Sequence, residues 1–235
     1  MQDIREAFFL AVGLITSGDV GLWQVIRLSL EVSLTAVMLG CFIGIPLAAL
    51  LVVVCFPGRT AIIALLNAFM GLPPVVVGLT VYLLLSRAGP LGELGLLYTV
   101  PAMIIAHTVL VTPLIAALAR QLLADFFEEY DEFFRPLGLG RLRMLRALIW
   151  DARFSLVTVA LAGFGRAIAE VGAVIIVGGN INHATRVMTT TIALETFKGN
   201  LAVALALGVV LLALAVAITS AVMVLRGAGS RMAYA

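Results

Sequence analysis

Long uncharged stretches constrain this chain more than any other feature of its sequence. Four of them cover 32–58, 60–86, 94–119 and 199–225 without one Asp, Glu, Lys or Arg. Each is long enough to cross about 30 Å of hydrocarbon as a helix. The chain is 63% hydrophobic with a mean hydropathy of +1.16, whereas soluble domains are roughly half apolar. These features predict an all-α integral membrane protein.

A fifth span is predicted from Phe154 to Gly178, although Arg166 and Glu170 interrupt it. Isolated charges cost several kcal/mol inside a membrane, so this segment must face protein or water at that depth. The two residues are four apart on one face of the predicted helix and could neutralise each other. The total is then about five spans, and five, an odd number, would place the two ends of the chain on opposite sides of the membrane.

The chain divides into three predicted parts. Residues 1–20 form an interfacial segment, because the apolar run from Ala7 to Ile15 is too short to span. Residues 21–226 form the transmembrane domain, with a charged loop at 121–153, and 227–235 form a tail. If that loop is cytoplasmic, nine Lys and Arg lie inside and four outside. The excess of inside positive charge predicts a cytoplasmic C-terminus.

The loop at 121–153 holds two amphipathic segments. Apolar residues recur at helical spacing on both sides of a short hinge that contains Pro136, Gly138 and Gly140. Proline lacks an amide donor and glycine permits left-handed backbone, so the hinge should separate two helices. The pattern predicts a helical hairpin at the membrane surface; taken alone, it favours a solvated loop.

The order of residues in this hairpin carries more information than its charge. Glu132 is followed six residues later by Gly138, Leu142 and Arg143 come next, and Phe133 and Phe134 stand between. The pattern resembles the cytoplasmic loop of ABC-importer permeases, in which Glu-Ala-Ala is followed by three residues and Gly; here the alanine pair is replaced by phenylalanines. The resemblance implies the type I ABC-importer permease fold. It also implies that these six residues contact a separate ATP-binding subunit.

Three further stretches extend the resemblance. Residues 71–78, Gly-Leu-Pro-Pro-Val-Val-Val-Gly, and 165–173, Gly-Arg-Ala-Ile-Ala-Glu-Val-Gly-Ala, look like span motifs of oxyanion-importer permeases. The stretch at 177–196 is most similar to that of tungstate permeases. The resemblance implies ATP-driven import of a tetrahedral oxyanion, most simply tungstate, with molybdate or sulfate as alternatives. It further implies a second copy of the chain, two ATP-binding subunits and an extracytoplasmic binding protein, in the cytoplasmic membrane of a bacterium or archaeon.

Two groups of residues are candidates for the translocation site. Pro73, Pro74, Arg166 and Glu170 could line the pathway or form its gate; a packing kink and a structural lock are the simpler alternatives. Asn180, Arg186, Thr189 and Thr190 fall in a polar loop and could contact the anion or the binding protein, because they donate hydrogen bonds without dense charge. Loop residues are polar in any case, which is the competing interpretation.

Other functions fit the sequence less well. The chain lacks a Gly-x-x-x-x-Gly-Lys-Ser/Thr phosphate loop, so ATP and Mg are expected on the partner subunit and no catalysis or cofactor on this chain. No metal-ligand spacing is present, and a net charge of +2 gives no reason to expect nucleic acid. A carrier driven by an ion gradient, with Arg166 and Glu170 as a relay, is the remaining alternative, but it leaves the charged hairpin unexplained.

Overall fold

A computed structural model gives the backbone of residues 20–134 and 140–233, together with positions 5, 9, 12 and 13. Side chains are described over 20–128 and 143–224. The predicted interfacial segment, 1–20, therefore lies largely outside the described residues. Over the described ranges the chain forms helices and no strand, which confirms the all-α prediction. The helices are α1 (Val20–Val53), α2 (Arg59–Met70), α3 (Pro74–Leu85), a 3₁₀ turn (Gly92–Leu94), α4 (Val100–Phe134), α5 (Arg141–Asp151), α6 (Arg153–Ile168), α7 (Gly172–Gly178), α8 (Met188–Phe197) and α9 (Leu201–Ala233).

Three of these helices, α1, α4 and α9, are long and apolar enough to cross a membrane unaided. Two bent pairs complete the set: α2 with α3, bent by 105°, and α5 with α6, bent by 73°. Counting each bent pair as one span gives up to five spans in the described chain, which is the predicted number. The pair of α5 and α6 begins within the predicted loop, however, whereas the fifth span was predicted at 154–178.

Helices α1 and α4 form the centre of the bundle. A methyl group added at Gly40 would lie 3.0 Å from Val111 Cγ2, and one added at Gly44 would lie 3.2 Å from Ala116 N. Small residues let the two backbones approach closely, which matters because lipid provides no hydrophobic drive for helices to associate. The later residue of α1, Gly44, lies beside the later residue of α4, Ala116, so the two helices are parallel.

Helix α9 runs in the same direction. Ala206 and Leu207, near its start, pack with Leu22 and Ile26 of α1. Further along, Ile218 packs against the core shared by α1, α4 and α6. The three long helices thus begin at one end of the bundle, here called the far end. They finish at the end where α4 turns towards α5, here called the loop end.

The first span differs from its prediction of 32–58. Its helix begins at Val20 and ends at Val53, so Arg27 and Glu31 lie inside it. Both are exposed near the far end, where long charged side chains can reach the membrane surface. At the other end, Arg59 Nε donates to Leu51 O at 2.6 Å, which satisfies a carbonyl near the helix terminus.

The second span and the predicted fifth span, 154–178, are both interrupted. The sequence predicted a bend or kink at Pro73 and Pro74, but a continuous helix through Arg166 and Glu170. Helix α2 stops at Met70, and Pro74 opens α3 at its first position, where a missing amide costs no hydrogen bond. Helix α6 stops at Ile168 and α7 restarts at Gly172. The halves after the breaks, α3 and α7, pack together, since a methyl added at Gly78 would lie 2.7 Å from Ala173 Cα.

The hairpin at 121–153 also differs from its prediction in the extent of its two helices. Its first arm is the continuous end of α4, which runs for 35 residues to Phe134, and its second arm is α5. Gly138 lies outside the described residues. Glu132, Phe133, Phe134 and Leu142 have helical backbone. At the C-terminus, α9 remains helical to Ala233, so this helix includes most of the predicted tail.

Replacing Gly78 by alanine should destabilise the protein by roughly 1–3 kcal/mol, because the new methyl meets the backbone of α7. Gly208→Ala is the matched control, since no atom lies within 4 Å of a methyl there. Thermal unfolding in detergent measures both. Equal melting temperatures for the two variants would contradict the close packing of α3 and α7.

Candidate functional site at the helix breaks

The two breaks lie side by side in the bundle. A methyl group added at Gly172 would lie 3.0 Å from Val75 Cγ2 and 3.6 Å from Glu170 Oε1. Val75 follows Pro73 and Pro74 at the first break, and Glu170 occupies the second. The structure therefore brings all four predicted pathway positions into one region, with Arg166 one turn before the second break.

Arg166 and Glu170 form an ion pair across the end of α6. Arg166 Nη1 lies 2.6 Å from Glu170 Oε2, and the Glu170 side chain is only 3% exposed, against 33% for Arg166. The other carboxylate oxygen, Oε1, accepts the amide of Ala173 at 3.2 Å. The cation thus sits in the last turn of one helix and the carboxylate at the start of the next, the ends where the helix dipoles stabilise each charge.

Side chains from α4 and α8 hold the carbonyl groups of this break. His107 Nε2 lies 3.0 Å from Ala167 O, and its Nδ1 lies 3.1 Å from Met103 O. A neutral imidazole has one N–H and donates to one of these oxygens, whereas the imidazolium donates to both. Thr189 Oγ1 donates to Glu170 O at 2.8 Å. Such partners are what interrupted backbone requires inside a membrane.

A small polar cavity adjoins the break. Its volume is about 10 Å³, and its lining includes Ser29, Ser33, His107, Glu170 and Thr189. That volume holds about one water molecule, far less than a tetrahedral anion needs. The cavity as it stands therefore cannot hold such an anion.

Of the other predicted site residues, Asn180 and Arg186 lie in the loop between α7 and α8, and Thr189 and Thr190 lie in the first turn of α8. Arg186 Nη1 donates to Asn182 Oδ1 at 3.1 Å, and Nη2 donates to Asn180 O at 3.4 Å. Thr189 and Thr190 are buried. Thr190 Oγ1 accepts the amide of Val187 at 3.1 Å, so it helps to start α8. Neither threonine is presented at the surface, where contact with a docking protein would require it.

Two polar residues that sequence reasoning missed complete the region. Ser29 Oγ accepts the amide of Met188 at 2.8 Å and donates to Val25 O at 2.7 Å, which ties α1 to α8. Thr185 is buried, donates to Gly178 O and accepts the amide of Ile181 at 3.0 Å. The available signal was a hydroxyl within or beside an apolar stretch, where a buried polar group needs a partner.

A polar clamp closes the turn from α8 to α9. Glu195 accepts hydrogen bonds from Lys198 Nζ at 2.8 Å and Asn200 Nδ2 at 2.7 Å. The bond from Lys198, and then that from Asn200, lowers the pKa of Glu195 below its ordinary value. The clamp is therefore complete above that ordinary pKa and is lost as the pH falls through the lowered value.

Interrupted spans that meet at a buried ion pair are typical of membrane transport proteins, which place irregular backbone where it lines a pathway. The sequence comparisons narrow this class. The chain is 40% identical over 222 residues to the tungstate uptake system permease protein TupB of Peptoclostridium acidaminophilum, covering 94% of this chain and 97% of that protein. It is 36% identical over 211 residues to a probable anion ABC transporter permease protein of Haloferax volcanii, covering 86% and 91%.

A third relative is the molybdenum transport system permease protein ModB of Escherichia coli K12, 30% identical over 172 residues, covering 70% of this chain and 75% of ModB. No protein-family model matches the chain. The chain belongs to the permease subunits of ABC transporters and is a multi-pass membrane protein. Membership implies a system with ATP-binding and substrate-binding partners.

Thr189→Val should destabilise the protein by roughly 1–3 kcal/mol, because Glu170 O loses its hydroxyl donor at the helix break. Thr191→Val is the matched control, since Thr191 Oγ1 bonds Val187 O within its own helix, where the Thr191 amide already donates. Melting temperatures in detergent distinguish the two. Equal losses would show that the bond from α8 does not stabilise the break.

Proposed function

We propose that this chain is the membrane-spanning permease of an ATP-driven tungstate importer and works by alternating access. The relative named for tungstate uptake supports this substrate, because it aligns over 94% of the chain at 40% identity. The molybdenum permease is more distant, at 30% identity, which makes molybdate the second candidate.

The observation that carries the proposal is the meeting of two broken spans at the Arg166–Glu170 pair. Backbone at a break can exchange partners at a lower cost than backbone within a regular helix, because fewer ladder bonds must be lost. The cavity beside Glu170 is too small for an anion, so the path would run beside α6 and not through this cavity. We therefore assign the gate to Pro73, Pro74, Arg166 and Glu170.

The position of Arg166 favours two copies of the chain around one pathway. Its side chain is one-third exposed although it lies within a predicted span. A guanidinium facing lipid at that depth is costly. A water-filled path between α6 of this chain and α6 of a second copy removes that cost, and it gives a passing anion a positive group to meet.

The proposed coupling runs along α4. This helix extends without interruption from Val100 to Phe134 and holds His107 against the break. Force applied at the hairpin would thus reach Ala167 through one continuous helix, which contains Pro113. ATP and Mg would bind the partner subunit, and this chain would carry neither catalysis nor a cofactor of its own.

The loop end is assigned to the cytoplasm. The count of nine Lys and Arg against four supports this orientation. Because α9 finishes at the loop end, the C-terminus would be cytoplasmic, and the α7–α8 loop with Asn180 and Arg186 would face the extracytoplasmic binding protein.

The substrate and the coupling contact can be tested together. Cells carrying the whole transporter should take up tungstate, with molybdate and sulfate as weaker competitors, and Glu132→Ala should abolish uptake while the protein still reaches the membrane. Glu128→Ala, one turn earlier on the exposed side of α4, is the control and should transport normally. Normal uptake by the Glu132 variant would reject the hairpin as the ATPase contact. Equal inhibition of tungstate uptake by added tungstate, molybdate and sulfate would reject tungstate selectivity.

Glu170→Gln should reduce tungstate uptake by at least about tenfold, because the pair would no longer stabilise one state of the gate, and each loss of about 1.4 kcal/mol lowers the population of that state tenfold. Glutamine keeps the shape and can still accept the amide of Ala173, so the change isolates the charge. Glu31→Gln removes an exposed carboxylate from α1 and should have little effect. Wild-type uptake by the Glu170 variant, at equal membrane levels, would remove the pair from the gate.

A further inference from the structure

The end of α5 carries an exposed cluster of aromatic and cationic side chains. Trp150 is 66% exposed. The guanidinium carbon of Arg153 lies 4.5 Å from the ring centre of Trp150 and 4.5 Å from that of Phe154. Arg153 Nη1 also donates to Trp150 O at 2.6 Å. Two rings and a carbonyl thus fix this arginine, and its remaining N–H groups stay free for another acceptor.

An open apolar groove lies beside the cluster. It encloses about 630 Å³ and is lined by Arg146, Ala147, Ile149, Trp150 and Arg153. The two arginines are its charged lining residues. Asp151 is exposed nearby, so these three residues leave the region with a net charge of +1. The groove therefore combines an apolar wall with a surplus of positive charge.

The position of the groove points to the membrane surface. The chain bends by 73° between α5 and α6, and α6 then enters the bundle as part of a span. Trp150 and Arg153 flank this bend, at the loop end. Tryptophan and arginine are enriched at the depth of lipid headgroups, where an aromatic ring contacts acyl chains and a cation meets phosphate.

We propose that this groove binds an anionic phospholipid of the leaflet at the loop end. Arg146 and Arg153 hold the phosphate, and Ile149 and Trp150 contact the first part of an acyl chain. Guanidinium groups match phosphate oxygens in geometry as well as charge. Because Arg153 is already fixed by its ring contacts, little conformational entropy is lost on binding.

A lipid fits this surface better than the ATP-binding subunit does. The groove lies at the end of α5 that joins the span, whereas the proposed ATPase contact is at the opposite end of α5, beside the hairpin turn. The exposed tryptophan and the apolar walls of the groove suit acyl chains. A surface that binds another protein mainly through charge would instead be lined mostly by polar and charged side chains. The inference does not depend on the transported anion.

Tryptophan fluorescence tests the proposal directly, because the chain has two tryptophans and Trp23→Phe leaves Trp150 as the reporter. The full chain is placed in nanodiscs that contain phosphatidylcholine with a small fraction of brominated phosphatidylglycerol, or of brominated phosphatidylcholine. Phosphatidylglycerol should quench Trp150 at lower lipid fractions than phosphatidylcholine. Arg146→Gln and Arg153→Gln should each weaken that preference roughly fivefold, and Asp151→Asn should strengthen it.

Arg87→Gln removes an exposed arginine near the far end of the bundle and should leave the preference unchanged. Arg153→Lys keeps the charge and tests whether a variant has lost binding or its fold. Equal quenching by the two lipids in the parent protein overturns the proposal. So does loss of phosphatidylglycerol quenching when the ATP-binding subunit is added, because the groove would then belong to that subunit.

Discussion

The ionised carboxylate of Glu170 is the constraint around which the rest of the structure is arranged. The side chain is 3% exposed inside a membrane-spanning bundle, where an unpaired charge would be expensive. Arg166 neutralises it, the amide of Ala173 donates to it, and the break between α6 and α7 places both charges at favourable helix ends. The break in turn exposes carbonyls, which His107 and Thr189 satisfy from two other helices.

Close packing explains how the broken halves keep their positions. Gly78 and Gly172 allow α3 and α7 to contact each other almost backbone to backbone, and Gly40 and Gly44 do the same for α1 and α4. In lipid, such contacts stabilise helix pairs through dispersion and shape. The bundle thus combines a tightly packed central pair with two interrupted spans, and the proposed transport cycle assigns motion to the interrupted part and transmission to α4.

Sequence reasoning reached the fold class, the approximate number of spans and the separation of α4 from α5, because each depends on local composition. It did not reach the breaks. Pro73 and Pro74 predicted a bend, but an angle of 105° depends on the packing of α3 against α7, which no single stretch encodes. The break at Ala169 has no proline; it depends on a carboxylate that folds back to meet a new helix start.

Thr189 and Thr190 were predicted to be surface loop residues, because their burial depends on contacts with α1 and with the α6–α7 break. The first span was predicted to start at residue 32 because only uncharged stretches were counted as spans. Charged side chains near a helix end can reach the membrane surface, so α1 starts earlier, at Val20.

A double-mutant cycle on Arg166 and Glu170 tests the central claim most directly. Arg166→Gln, Glu170→Gln and the double variant are compared for melting temperature in detergent and for ATP-driven tungstate uptake by the reconstituted transporter. The account predicts that each single change lowers the melting temperature, that the double change restores much of it because no charge is left unpaired, and that uptake stays impaired in all three. Additive losses of stability, or wild-type uptake by the double variant, would contradict it.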